Sequence, residues 1–215
     1  RDLQGIPATR KSSREMAEDI GTESSEFAFA VERKNGNAYL VINLAEDTDS
    51  SVIATFDSTT ADGGTWAADT TNSDALNVTS EIYEFTQGTG SVEFDVDVSQ
   101  SVNNRATISS TITSKDLESL EDIGVFTLDV YIPDSTYMSS VTLYWGTDDT
   151  NYWSSVQTTD AQGNTIADGW NTFKFEWRDS TKTLTPDSAD IAYVRGDVNY
   201  TASQTDDTGF RLDNL

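Results

Sequence analysis

The run GSVEFDVDVS, residues 90–99, alternates strictly: Val92, Phe94, Val96 and Val98 fall on one face, and Glu93, Asp95 and Asp97 on the other. A period of two is the signature of a half-buried β-strand. Three carboxylates on one face pose a choice between a catalytic cluster and the solvated side of an ordinary strand. The four apolar partners opposite them favour the solvated side. From about residue 50 onward the same rhythm recurs in short runs rich in Thr, Val, Ile, Phe and Tyr, broken by Gly, Asn, Asp and Ser. It predicts strands at 52–57, 91–98, 105–113, 124–132, 139–146, 152–159, 170–177, 190–198 and 208–214. Pro133 and Pro186 sit at run ends, where a missing ladder donor does no harm. LESLEDIG (117–124) reads as a brief helical turn. With no 20–50-residue repeat, solenoids and propellers are disfavoured. The expected fold is all-β, an antiparallel β-sandwich of jelly-roll type over 50–215.

The preceding stretch has a different texture. SSREMAEDIG offers a serine cap at Ser12 or Ser13 and a glycine stop at Gly21, which predicts a short helix. Asn35-Gly36, between two β-prone runs over 26–44, predicts a hairpin. Residues 1–49 are therefore expected to form an attachment segment, a short helix plus a hairpin, that docks the sandwich to neighbouring subunits of a larger assembly.

Charge and composition exclude several functions. The net charge is −24, with 37 acidic and 13 basic residues. Such a surface repels phosphate backbones and anionic bilayers, so no nucleic-acid partner is expected. No 18-residue apolar span is present, so no membrane insertion is expected either. The absence of Cys and His removes thiol nucleophiles, imidazole bases and the zinc sites both residues build. An enzyme built from this chain would have to work through carboxylates alone or a carboxylate-bound metal. The Asp-rich composition suits an extracellular or virion-surface location. The chain starts at Arg1, which reads as a processed or trimmed product.

Several segments taken together, ATFDSTTADGGTWAAD (54–69), GTGSVEFDVDVS (88–99), GVFTLDVYIPD (124–134), VTLYWGTDDTNYWSS (141–155), DGWNTFKFEW (168–177) and TGFRLDNL (208–215), resemble jelly-roll carbohydrate-binding-like domains. Such domains are appended to glycan-active enzymes and occur in phage and other surface structural proteins. The resemblance implies a structural calcium held by Asp213 on the last strand and Asp57 at the end of the first; the alternative is that Asp57 turns the chain and Asp213 is solvated. Glu93-x-Asp95-x-Asp97 also resembles the E-x-D-x-E strand motif of a retaining glycosidase family. It departs at Asp97, where that family places its acid. Retaining chemistry needs carboxyl groups ~5–5.5 Å apart, whereas i and i+4 on a flat strand lie roughly 13 Å apart.

Sugars stack their C–H faces on aromatic rings while amides and carboxylates bond the hydroxyls. WGTDDTNYWSS places Trp145, Tyr152 and Trp153 near Asp148 and Asn151 around a turn, and these five residues are the candidate glycan contacts. Core anchoring is the competing reading. Trp177 alternates with Phe173 and Phe175 and is expected in the core, whereas Trp170 follows an Asp-Gly turn and reads as a rim residue. The expected function is that of a non-catalytic virion or cell-surface structural protein presenting this domain for assembly, decoration or glycan adhesion. The alternatives are an accessory module of a secreted glycan-degrading enzyme and a carboxylate-dependent glycosidase.

Overall fold

The computed structural model describes residues 27–34, 37–44, 52–69, 72–101 and 103–215. The chain divides into two compact units at Ser51/Val52. In the first, β1 (Phe27–Lys34) pairs antiparallel with β2 (Asn37–Leu44), in register from Phe27↔Leu44 to Lys34↔Asn37. This pairing is that of a two-residue hairpin; Asn35-Gly36 and the helix expected near Ser12–Gly21 lie outside the described residues.

The second unit is a two-sheet antiparallel sandwich. Its strands are β3 (Ala67–Ala68), β4 (Ala75–Glu81), β5 (Ser91–Val96), β6 (Arg105–Lys115), β7 (Val125–Ile132), β8 (Met138–Gly146), β9 (Tyr152–Gln157), β10 (Gly169–Glu176), β11 (Thr181–Thr183), β12 (Ile191–Tyr200) and β13 (Asp207–Asp213). One sheet has the order β10-β7-β13-β5-β4 and the other β11-β9-β8-β12-β6-β3. Alternation sends Val92, Phe94, Leu128, Val130, Phe173, Phe175, Phe210 and Leu212 from the first sheet into one buried cluster with Ile108, Leu143, Trp145 and Val194 from the second. Phe94 stacks on Phe210 across the β5–β13 pair, ring centroids 5.7 Å apart. The expected helical turn at 117–124 appears as a single 3-10 turn, Glu118–Leu120.

Two expectations need correction. Residues 52–57 do not form a strand. The Asp62 carboxylate accepts hydrogen bonds from the backbone N–H groups of Thr55 and Phe56 and from the Trp66 indole. Phe56 takes a left-handed backbone, φ 55°. A side chain thus occupies the donors a ladder would need. What remains of the pairing is that Ile53 and Ala54 N–H groups donate to the Leu215 carbonyl and Leu215 N–H donates to Ala54. Conversely, β4 was not anticipated. Its register shifts between Leu76 and Thr79, and Asn77 sits at φ 53°, so the bulge hides its alternation.

Candidate functional site

The outer face of the five-stranded sheet carries one continuous cross-strand row. Trp170 on β10 is opposite Tyr131 on β7, Tyr131 opposite Arg211 on β13, Arg211 opposite Glu93 on β5, and Glu93 opposite Thr79 on β4. Inward Phe173 and Phe175 fix the parity of β10, so Trp170, Thr172 and Lys174 must point outward. Trp170 and Tyr131 are half-buried and meet edge to face, centroids 5.5 Å apart at 72°. The Arg211 guanidinium lies 4.5 Å from the Tyr131 ring centre. Its Nε donates to Glu93 Oε2 at 2.9 Å and its Nη1 to Glu84 Oε2 at 2.8 Å. Aromatic rings at one end and polar side chains at the other make one continuous outer row.

The neighbouring row, in which Thr172 is opposite Asp129 and Asp129 opposite Asp213, is covered by the loop between β4 and β5. Asp213 is fully buried and Asp129 nearly so. Asp213 Oδ2 accepts from the N–H groups of Thr86 and Gln87 and lies 2.8 Å from the Thr86 hydroxyl. Asp129 Oδ2 lies 2.7 Å from the same hydroxyl, and Asp129 Oδ1 accepts from the Thr172 hydroxyl at 2.6 Å. Asp57 Oδ1 accepts from Thr89 N–H. A Cβ on Gly88 would sit 2.1 Å from Asp57 Oδ1, and Gly88 has φ 77°, so only glycine closes this loop. The loop places Glu84 against Arg211 and leaves Tyr83 85% exposed beside it.

The three carboxylates of the 90–99 run are each engaged in structure. Glu93 holds Arg211, Asp95 accepts from Asn77 Nδ2 and Gly209 N–H, and Asp97 accepts from Ser99 and Gln100. The Ser99 hydroxyl, with its N–H and the Gln100 amide, holds the Asp97 carboxyl below the ordinary range. An acid that must be protonated to act is not made this way.

The expected glycan contacts at Trp145, Asp148, Asn151, Tyr152 and Trp153 are not presented as a stacking platform. Trp145 and Trp153 are opposite one another across β8 and β9, and both rings are buried in an aromatic cluster with Phe126 and Trp177. Leu143 and Val141 share the Trp145 face, which sends that ring into the core. Asp148 instead closes the turn, accepting from the hydroxyl and N–H of Thr150 and from Asn151. These bonds bring its pKa down to about 2. Asn151 Oδ1 accepts from Thr185 N–H, and half-buried Tyr152 meets Tyr144 edge to face, centroids 5.3 Å apart. Trp177 is in the core as expected.

Asp57 and Asp213, the expected calcium ligands, both grip the 86–89 segment. Asp213 Oδ1 is buried with no hydrogen-bond partner. Burial pushes the Asp213 pKa up, partly offset by the Gln87 and Thr86 donors. An orphaned carboxylate oxygen fits a cation ligand. Among the described residues, however, no three acidic side chains gather into a metal cage. A cation there would depend on backbone or amide oxygens for its remaining bonds.

The second unit is thus an antiparallel two-sheet β-sandwich with an aromatic and ionic row on the outside of one sheet. Solved structures similar to this chain include two carbohydrate-binding modules and a phage tailspike domain. A family 30 carbohydrate-binding module is 11% identical with a TM-score of 0.48, over 74% of this chain and 95% of that one. A carbohydrate-binding module of the β-sandwich superfamily is 14% identical with a TM-score of 0.46, over 83% and 68%. The enzymatically active domain of a tailspike protein from bacteriophage CBA120 is 16% identical with a TM-score of 0.34, over 69% and 18%. No protein-family model and no curated protein matches. Tyr131, Arg211, Glu84 and Tyr83 were not singled out from the sequence; the one available signal was Trp170 sharing its face with Thr172 and Lys174.

Proposed function

We propose that this chain is a non-catalytic glycan-binding sandwich, displayed on a virion or cell surface, whose ligand lies across the outer face of the five-stranded sheet. The observation that carries the reading is the Trp170–Tyr131 pair, half-exposed and in register with Arg211 and Glu93. A half-exposed indole edge-packed on a tyrosine is preorganised for stacking, because little side-chain entropy is left to lose on binding. Residues 1–49 would then serve attachment to neighbouring subunits. The same platform would serve an accessory module of a glycan-degrading enzyme equally well. A structural calcium at Asp213 and Asp57 belongs to the same proposal, supported by the unpartnered Asp213 Oδ1.

The deciding experiment is a glycan array probed with the full chain and with Trp170→Ala. Loss of retention in the variant, with an unchanged melting temperature, is the expected result. Retention that survives Trp170→Ala but is lost in Tyr152→Ala would move the site to the other sheet.

A further inference from the structure

Resting on the platform reading above, we infer that the ligand is an uncharged, extended polysaccharide chain, and that uronate-rich or sulfated chains are rejected. The inference starts from the one cation in the row. An arginine beside an aromatic pair invites the idea that it receives a sugar carboxylate, but the single charge of Arg211 is already faced by two carboxylates, Glu93 and Glu84. Its Nε and Nη2 both contact Glu93 Oε2, at 2.9 and 2.8 Å, and its Nη1 contacts Glu84 Oε2 at 2.8 Å. One guanidinium face is occupied by Tyr131, and the side chain is only 13% exposed. A ligand carboxylate would have to displace one of two carboxylates already in place. Arg211 is a positioning residue that ties the Glu84 loop to the sheet.

The other basic residue on this face is Lys174. It lies four residues along β10 from Trp170, roughly 13 Å by the strand rise, and is paired with Glu176 at 3.0 Å. Among the described residues, no other basic side chain on this face stands near the aromatic pair. On its opposite side stand Asp168, Asp134 and Asp95, close enough to Asp207 to act on it as like charges. Asp168 precedes Trp170 by two residues, roughly 7 Å by the strand rise. It accepts from the Ser135 N–H and hydroxyl at 2.8 and 2.7 Å, and Asp134 accepts from Thr136 N–H at 2.9 Å. Those bonds lower both pKa values, so both carboxyls stay charged at neutral pH. Asp207 Oδ2 is buried without a partner, and Asp207 feels Asp134, Asp168 and Asp95 as like charges after the larger effect of burial. An anionic group over Trp170 would sit within the ~10 Å screening length of this rim at 0.1 M salt.

The shape of the row gives the second half of the inference. From Trp170 to Thr79 it crosses five strands, four spacings of ~4.8 Å or about 19 Å in a line. A linear row with aromatic faces at one end and the Glu93 carboxylate and exposed Thr79 hydroxyl at the other suits a chain of hydroxyl-bearing rings.

The test is affinity electrophoresis of the full chain in gels containing hydroxyethylcellulose, soluble xylan or galactomannan, against polygalacturonate and dextran sulfate, at low and high salt. At least one neutral polymer should retard the protein equally at both salt levels, and Trp170→Ala should abolish the retardation. The anionic polymers should retard it at least roughly tenfold less at low salt. Asp168→Asn should narrow that gap. Trp170-dependent retention by an anionic polymer, weakening with salt, would overturn the ligand class while leaving the platform in place. Retention of a neutral polymer unaffected by Trp170→Ala would overturn the platform, and the inference with it. Retention by no polymer would overturn both.

Discussion

Two aromatic pairs face each other across neighbouring strands in this sandwich: Trp145 opposite Trp153 on β8 and β9, and Trp170 opposite Tyr131 on β10 and β7. Their register relationship is the same, yet the first pair lies in the core and the second outside it. What separates them is the parity of their strand neighbours. Trp145 shares its face with Leu143 and Val141, while Trp170 shares its face with Thr172 and Lys174. A cluster of aromatic and acidic residues around a turn is therefore weaker evidence for a binding platform than one aromatic residue on the polar side of a strand.

The sharpest way to break this comparison is to truncate one member of each pair. Trp145→Ala should cost ~3–5 kcal/mol, the range for emptying a buried aromatic site, read as a lower urea midpoint. Trp170→Ala is treated last because its expected effect on stability is the smallest. Between them stands the loop that frames the platform. Calcium at 100 times its dissociation constant should add about 2.7 kcal/mol, seen as a chelator-sensitive melting temperature that Asp213→Ala makes insensitive. A melt that chelation leaves unchanged removes the metal from the proposal.

Thr86→Val should cost about 1–3 kcal/mol by withdrawing the hydroxyl that two buried carboxyls share, and should raise hydrogen exchange across residues 82–90. Asp213 also gives a pH test. Its folded pKa is raised, so its contribution to stability is fully present below the ordinary aspartate value of 3.8 and is lost as pH rises through the folded value. Subtracting the urea midpoints of Asp213→Asn from those of the parent should show that decline, and a flat difference would contradict it. Finally, Trp170→Ala should change stability by no more than about 1 kcal/mol, since a half-exposed ring forfeits little burial. A loss as large as that of Trp145→Ala would erase the distinction between the two pairs.

Much of the sandwich was legible because its strands alternate cleanly. Val92, Phe94 and Val96 mark the inner face of β5, and Phe173 and Phe175 that of β10. Where side-chain chemistry replaces the ladder, the pattern fails. Asp62 takes the N–H groups that would have made 52–57 a strand, and the Asn77 bulge erases the period of β4. On β9 the polarity runs backwards: Ser155 is buried while Val156 is 57% exposed, so the inward direction of Trp153 could not be inferred from its neighbours. The candidate site was only partly legible for a different reason. Trp170 and Glu93 could each be assigned to a face, but Tyr131 and Arg211 join them through register between strands about 40 to 120 residues apart in sequence, and a period-two pattern carries no register.

Thr86 has a single hydroxyl hydrogen, yet its oxygen lies 2.7 Å from Asp129 Oδ2 and 2.8 Å from Asp213 Oδ2. That one hydrogen is either shared between the two acceptors or given to one of them, and a proton on a carboxyl would complete the second bond. Burial raises the pKa of Asp213, which favours a proton on its carboxyl. A cation settling on Asp213 Oδ1 would favour the charged carboxylate and expel any proton held there. Uptake of calcium there would be measurable as acid released into unbuffered solution.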